Sequence, residues 1–301
     1  STHCISSAAS DVYKRQAVIG LGNMGAGMAL SLQRAGFSVS GFDPSPAARE
    51  ALAGKGITLL DSLAELVAQA QVIVLSLPTS DIIESVVLGE EGIVAHASQP
   101  TILLDTSTAD PTSTRRIAEA LANSALILVD GPVSGGPKAA HGGNMTMLLG
   151  GDEAVLAHLS PVLDALTGKR VRVGEVGAGH SAKLLNNLLC GMHLLAAGEA
   201  MRIARGAGLE PEEILKGINA GSGRSGVTEV NYPTWILNEA FDSGFTMKLM
   251  RKDLRLAADL IARSGAGVPL AEEALRLWQT SLPAIADADD FNCIVNYEEQ
   301  P

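Results

Sequence analysis

The 301-residue chain is short of cysteine, of positive charge and of long apolar runs. Its three cysteines, Cys4, Cys190 and Cys293, are scattered and odd in number. That argues against a disulfide framework and suits a reducing compartment, so a cytoplasmic location is expected. Lys and Arg number 22 against 33 Asp and Glu, a formal net charge of −11. Such a surface repels phosphate backbones and anionic lipid, which speaks against nucleic-acid and membrane partners but allows a local basic site for an anionic ligand. No apolar run reaches the roughly 18 residues of a membrane-crossing helix. The greasiest stretch, residues 184–201, is interrupted by Asn186, Asn187, His193 and Glu199. His96, His141, His158 and His193 show no metal-ligand spacing, so no metal site is expected. Internal repeats, low-complexity tracts and a Gly- or Ser-rich linker are missing as well.

The first 16 residues, STHCISSAASDVYKRQ, lack the basic and apolar regions of a secretory signal. They read as a foreign, adaptor-like tail, expected to be disordered or to extend the first strand through Val12 and Tyr13.

What is present is an ordinary globular composition with 47% hydrophobic and 18% charged residues. Short β-branched runs, AVIG (17–20), SVSGF (38–42), VIVLSL (72–77), TILLD (101–105) and LILVD (126–130), alternate with amphipathic segments. One of these, DSLAELVAQA, has Asp61 or Ser62 as a helix cap. The alternation predicts an α/β domain with a doubly wound parallel sheet and right-handed crossovers. MTMLLG (145–150) and RVRVG (170–174) are expected to close that sheet, with a helix over 152–167 between them. Beyond Gly179 strand signals vanish. A long helix over 179–207 is followed by PEEILKGINA, DLRLAADLIARSG and LAEEALRLWQTSL, all at helical spacing. The chain thus divides into a dinucleotide-binding domain, 17–178, and an all-α substrate and oligomerisation domain, 179–301, joined by the long helix. A cleft at the C-terminal edge of the sheet is expected between them.

The dinucleotide assignment rests on AVIGLGNMGAGMA, residues 17–29, where Gly20, Gly22 and Gly25 stand at G-x-G-x-x-G spacing between a strand and a helix. Gly20 permits the turn, Gly22 clears the approach of a pyrophosphate, and Gly25 lets the helix pack on the sheet with its amides aimed at phosphate. Asp43, 18 residues beyond Gly25, ends the second strand where a carboxylate takes both ribose hydroxyls. It repels a 2′-phosphate and so favours NAD over NADP, although Ser45 and Arg49 lie close enough to complicate the preference.

Three further segments carry chemistry: DTSTADP (105–111), DGPVSGGPKAAHGG (130–143) and GAGHSAKLLNN (177–187). Taken in order with GLGNMG (20–25), they resemble the motifs of the β-hydroxyacid dehydrogenase family, which includes 3-hydroxyisobutyrate dehydrogenases and tartronate semialdehyde reductases. The resemblance covers the chain from Ala17 almost to its end. It implies a Rossmann-type cofactor domain like that of 6-phosphogluconate dehydrogenases, whose helical domain is much longer than this one. It implies Gly20, Leu21, Gly22, Asn23, Met24, Gly25, Asp43, Leu77, Pro78, Thr108 and Lys252 as cofactor contacts. Lys183 is then the catalytic acid–base, with Asn187 one turn further on the same helical face to bind substrate or orient the lysine. An ammonium suits that task where burial and nearby positive charge disfavour its charged form. Ser134, Gly135 and Gly136, with Thr108, are the expected substrate-binding residues, their amides and hydroxyl holding a compact carboxylate. Asp253 is placed to anchor Lys252. The expected reaction is hydride transfer between nicotinamide and a small 3-hydroxy acid or its semialdehyde. Family dimers or tetramers form through the helical half, so a homo-oligomer is expected. Imine reduction and nucleotide sensing without turnover stand as alternatives. His180, three residues before Lys183, is expected to cap the helix or meet solvent rather than rim the pocket, and Arg224, in GSGRSG, either pairs an acidic substrate group or ties a loop.

Overall fold

The computed structural model describes residues 14–298, so Cys4, Val12 and Tyr13 lie outside the described residues. The chain forms two compact units, one ending at Lys183 and the other beginning at Leu184. Among the described residues of the first unit, nine strands make one sheet: β1 (Arg15–Ile19), β2 (Ser38–Phe42), β3 (Thr58–Leu59), β4 (Val72–Leu75), β5 (Thr101–Asp105), β6 (Leu126–Asp130), β7 (Val133–Ser134), β8 (Met145–Gly150) and β9 (Thr167–Gly174). Their order is β3-β2-β1-β4-β5-β6-β8-β7, with β9 on β8. All pairs from β3 across to β6 are parallel. The β8 strand then turns antiparallel to β6 and β7, and β9 runs parallel to β8. The sheet is mostly parallel, not wholly so. Apolar runs carry no direction, which is why the reversal escapes a reading of periodicity.

The central strands are buried on both faces, as their continuous apolar runs require. In β4, Val72 and Val74 enter one core cluster with Val18, Met28 and Leu104, while Ile73 and Leu75 enter the opposite one with Ile19, Leu103 and Ile117. Each such side chain withdrawn from water contributes about 1.5–3 kcal/mol before conformational entropy is subtracted. Strand β1 begins at Arg15 rather than Ala17. The helix expected over 152–167 is two, Glu153–His158 and Ser160–Leu166. Pro161 has no N–H to offer the preceding turn and its ring clashes with it, so the second helix starts anew with Pro near its N-terminus. Ser62, one of two candidate caps, accepts from the Glu65 amide at 3.4 Å.

The long helix, Ala178–Gly206, starts in the first unit and continues through the second. The second unit adds helices Pro211–Ala220, Met247–Ser264 and Pro269–Thr280, a π-helical segment Val227–Ile236 and a 3-10 turn Phe291–Asn296. Its core gathers Leu184, Met201, Tyr232, Met250, Leu254, Trp278 and Ile294. No helix among the described residues is long and apolar enough to cross a membrane.

Candidate active site

The glycine loop leaves β1 and opens the helix Asn23–Arg34. Gly20 has φ +88°, a left-handed conformation that a side chain disfavours. A Cβ on Gly25 would lie 1.8 Å from the Gly20 carbonyl oxygen, so loop and helix could not close. A Cβ on Gly22, by contrast, would meet nothing within 4 Å. Gly22 also gives the helix no side-chain cap, leaving the first-turn amides of the exposed Asn23 and half-buried Met24 to other partners. Open space beside uncapped amides fits a dinucleotide pyrophosphate. The Leu21 side chain is buried in the core, so only its backbone is available to a ligand. Asp43, just past β2, accepts from the Leu21 amide at 2.7 Å and the Ser45 amide at 2.8 Å, which fixes its carboxylate beside the loop. Arg49 turns to the Asp43 carbonyl and to Asp61, 3.5 Å away.

Lys183 is 6% exposed, and its Nζ donates to Ser134 Oγ at 2.8 Å. Ser134 ends β7, paired with Thr146 of β8, and Gly135 with φ +118° turns the chain into the helix Gly136–Gly142. Thr108 and Leu77 are half-buried and Pro78 is exposed, in the segments that follow β5 and β4. Ser107 joins those two segments: its Oγ accepts from the Leu77 amide at 3.0 Å.

Sequence reasoning missed one cluster. His180 neither caps the helix with its side chain nor meets solvent; it is fully buried. Its Nδ1 lies 2.8 Å from Thr114 Oγ1 and its Nε2 3.0 Å from the Ser107 carbonyl oxygen. Two buried carboxylates flank the ring, Asp105 at 3.8 Å from Nε2 and Asp130 at 3.9 Å from Nδ1. Asp130 also accepts from the amides of Gly177 at 2.6 Å and His180 at 2.7 Å, anchoring the start of the Lys183 helix. Burial pushes the Asp130 carboxyl above the ordinary carboxylate range, with His180 and the two amides pulling the other way. The sequence shows the two motif aspartates that end β5 and β6, but not that they would flank His180.

In the second unit, Asn187 donates to Asp253 Oδ2 at 2.6 Å and accepts from Asn186 Nδ2 at 3.1 Å. Lys252 Nζ lies 3.2 Å from Asp253 Oδ1. Two residues singled out separately from the sequence therefore share one buried carboxylate. Arg224 is exposed in the loop before the π-helical segment. The described residues hold no group of three or more His, Cys, Asp or Glu arranged for a metal.

Residues 15–174 match the family described as the NAD binding domain of 6-phosphogluconate dehydrogenase. Residues 177–297 match the NAD-binding domain of NADP-dependent 3-hydroxyisobutyrate dehydrogenase. A probable 3-hydroxyisobutyrate dehydrogenase of Mycobacterium tuberculosis is 34% identical over 286 residues, 93% of this chain and 96% of the relative. The M. tuberculosis enzyme, solved with L-serine, superposes with a TM-score of 0.88 at 34% identity, covering 94% of this chain and 98% of its own. The 2-(hydroxymethyl)glutarate dehydrogenase of Eubacterium barkeri is 32% identical, with 94% of each chain covered. An imine reductase from Bacillus cereus BAG3X2, with 21% identity, a TM-score of 0.62 and coverage of 94% of this chain and 98% of its own, shares the fold alone. Glycine loop, mostly parallel sheet and helical second unit thus lead to one assignment: the chain belongs to the β-hydroxyacid dehydrogenase family of NAD(P)-dependent oxidoreductases.

Proposed function

We propose that the protein interconverts a small 3-hydroxy acid and its semialdehyde, with Lys183 as the proton carrier. The observation that carries this reading is the buried Lys183 ammonium, held 2.8 Å from the Ser134 hydroxyl. A bound nicotinamide supplies the hydride acceptor or donor. In oxidation the neutral Lys183 amine takes the substrate hydroxyl proton as hydride leaves the carbinol carbon; in reduction the ammonium returns that proton to the carbonyl oxygen. Ser134, with the amides of Gly135 and Gly136 and the neighbouring Thr108, binds the substrate carboxylate. Asn187 hydrogen-bonds substrate through an amide whose orientation Asp253 fixes. The cofactor is held by the backbone from Gly20 to Gly25, by Leu77, Pro78, Thr108 and Lys252, and by Asp43, whose fixed carboxylate repels a 2′-phosphate and favours NAD. The sparse cysteines support a cytoplasmic location.

The helical unit is proposed to assemble the protein as a homodimer or homotetramer. On the helix Ala178–Gly206, Leu185, Leu189 and Ile203 are 49%, 53% and 73% exposed. Their spacing places them within about 40° of one another around the axis, on a face they share with the exposed Glu199.

The test is reduction of NAD and NADP with a panel of 3-hydroxyisobutyrate, glycerate, serine, threonate and 4-hydroxybutyrate. Turnover of at least one 3-hydroxy acid, faster with NAD, supports the reading. Binding of NADH with no turnover of any of them supports the sensor instead, and reduction of cyclic imines alone supports imine reduction.

A further inference from the structure

We infer that His180 is a positioning residue that sets the register of the Lys183 helix against the segment after β5 that carries Thr108 and the strand β7 that carries Ser134. This rests on the assignment of Lys183 as the proton carrier. His180 lies three residues before Lys183 on one helix, fully buried. Because Nε2 faces a carbonyl oxygen, that of Ser107 at 3.0 Å, it must carry the proton and donate. Ser107 is the chain neighbour of Thr108, donates its own amide to Asp105 Oδ1 at 3.0 Å, and accepts from Leu77. On the ring's other side Thr114 Oγ1, which also bonds the Asp110 carbonyl oxygen at 3.1 Å, faces Nδ1. The His180 amide goes to Asp130, whose strand leads through Gly131 and Pro132 to β7 and Ser134. One imidazole, with its own amide, therefore ties together the Leu77 segment, the Thr108 segment, the β6–β7 connection and the lysine helix.

An apolar side chain of similar size would fill the space and lose the register. It would satisfy neither the Ser107 carbonyl nor the Thr114 hydroxyl, and it would leave Asp105 and Asp130 facing a group with no dipole. Misplacement of a proton carrier by about 1 Å costs on the order of 100-fold in rate. The ring is thus needed for where Lys183 stands.

The experiment compares His180→Gln, His180→Leu and Thr114→Val with Lys183→Ala and the unaltered protein. A Gln amide can still reach toward the Ser107 oxygen; Leu cannot; Val removes the hydroxyl that faces Nδ1. The expected result is a kcat for the 3-hydroxy acid about 10- to 100-fold lower in H180Q and lower still in H180L, with a smaller fall in T114V. NADH affinity, by fluorescence titration, stays within about twofold in H180Q and T114V, and their thermal midpoints stay close to that of the unaltered protein. An H180Q or T114V protein with unaltered kcat beside an inactive K183A overturns the inference alone. So does a parallel loss of kcat, NADH affinity and thermal midpoint, which marks a merely structural role. Full turnover by K183A removes the lysine reading and this inference with it.

Discussion

The Ser134 hydroxyl holds the buried lysine by its ammonium. Ser134 Oγ accepts from Lys183 Nζ at 2.8 Å, a hydrogen bond to a charged group worth about 1.5–3 kcal/mol. Ser134→Ala is expected to lower kcat/KM by about 10-fold or more without changing NADH affinity, measured by steady-state kinetics beside fluorescence titration. Equal kinetics in the two proteins would mean that the bond plays no part in turnover. Tyr232 behaves differently, as a stability group. Burial pushes its phenol from 10 up to about 12. The folded protein then holds that proton more tightly than the unfolded chain, so its stabilisation is complete below about pH 10 and is lost as pH climbs toward 12. The loss amounts to about 3 kcal/mol at most. Tyr232→Phe should flatten the fall in thermal midpoint between those pH values, and an unchanged alkaline profile would contradict the assignment.

Among the elements, the turn between β7 and the helix Gly136–Gly142 is the most demanding. Gly135 sits at φ +118°, and a Cβ there would come within 2.6 Å of Ala139 Cβ. Gly135→Ala is expected to cost about 1–3 kcal/mol in chemical denaturation and to raise KM for the hydroxy acid, because Ser134 is its chain neighbour. The long helix poses a second question. Its exposed Leu185, Leu189 and Ile203 share one face of the helix. Leu185→Glu with Ile203→Glu should shift the sedimentation coefficient from oligomer to monomer; an unaltered protein that sediments as a monomer refutes the oligomer proposal.

For the molecule as a whole, cofactor and stability are linked. NADH at 100 times its Kd should stabilise the protein by about 2.7 kcal/mol, and, on the role proposed for the Asp43 carboxylate at the ribose, NADPH at the same concentration by less. Equal thermal shifts would place the selectivity elsewhere. Much of this architecture is written in the chain. The runs SVSGF, TILLD, LILVD and MTMLLG form strands at the expected residues, and TILLD, buried at every position, shows most plainly the short apolar segment of a strand covered on both faces. The two-residue strands β3 and β7 are too short to show any period, and the break at Leu159 comes from one proline inside an otherwise helical pattern. Glycine spacing and the lysine motif were legible for the same local reason. The His180 cluster was not, because its partners Thr114 and Ser107 lie 66 and 73 residues away and only folding brings them together.

The most direct test of the account is chemical rescue of Lys183→Ala. The variant should bind NADH as the unaltered protein does, lose about 100- to 10,000-fold in turnover, and regain part of it when methylamine is added to the assay. Turnover at the unaltered rate without added amine would contradict the claim that this lysine carries the proton.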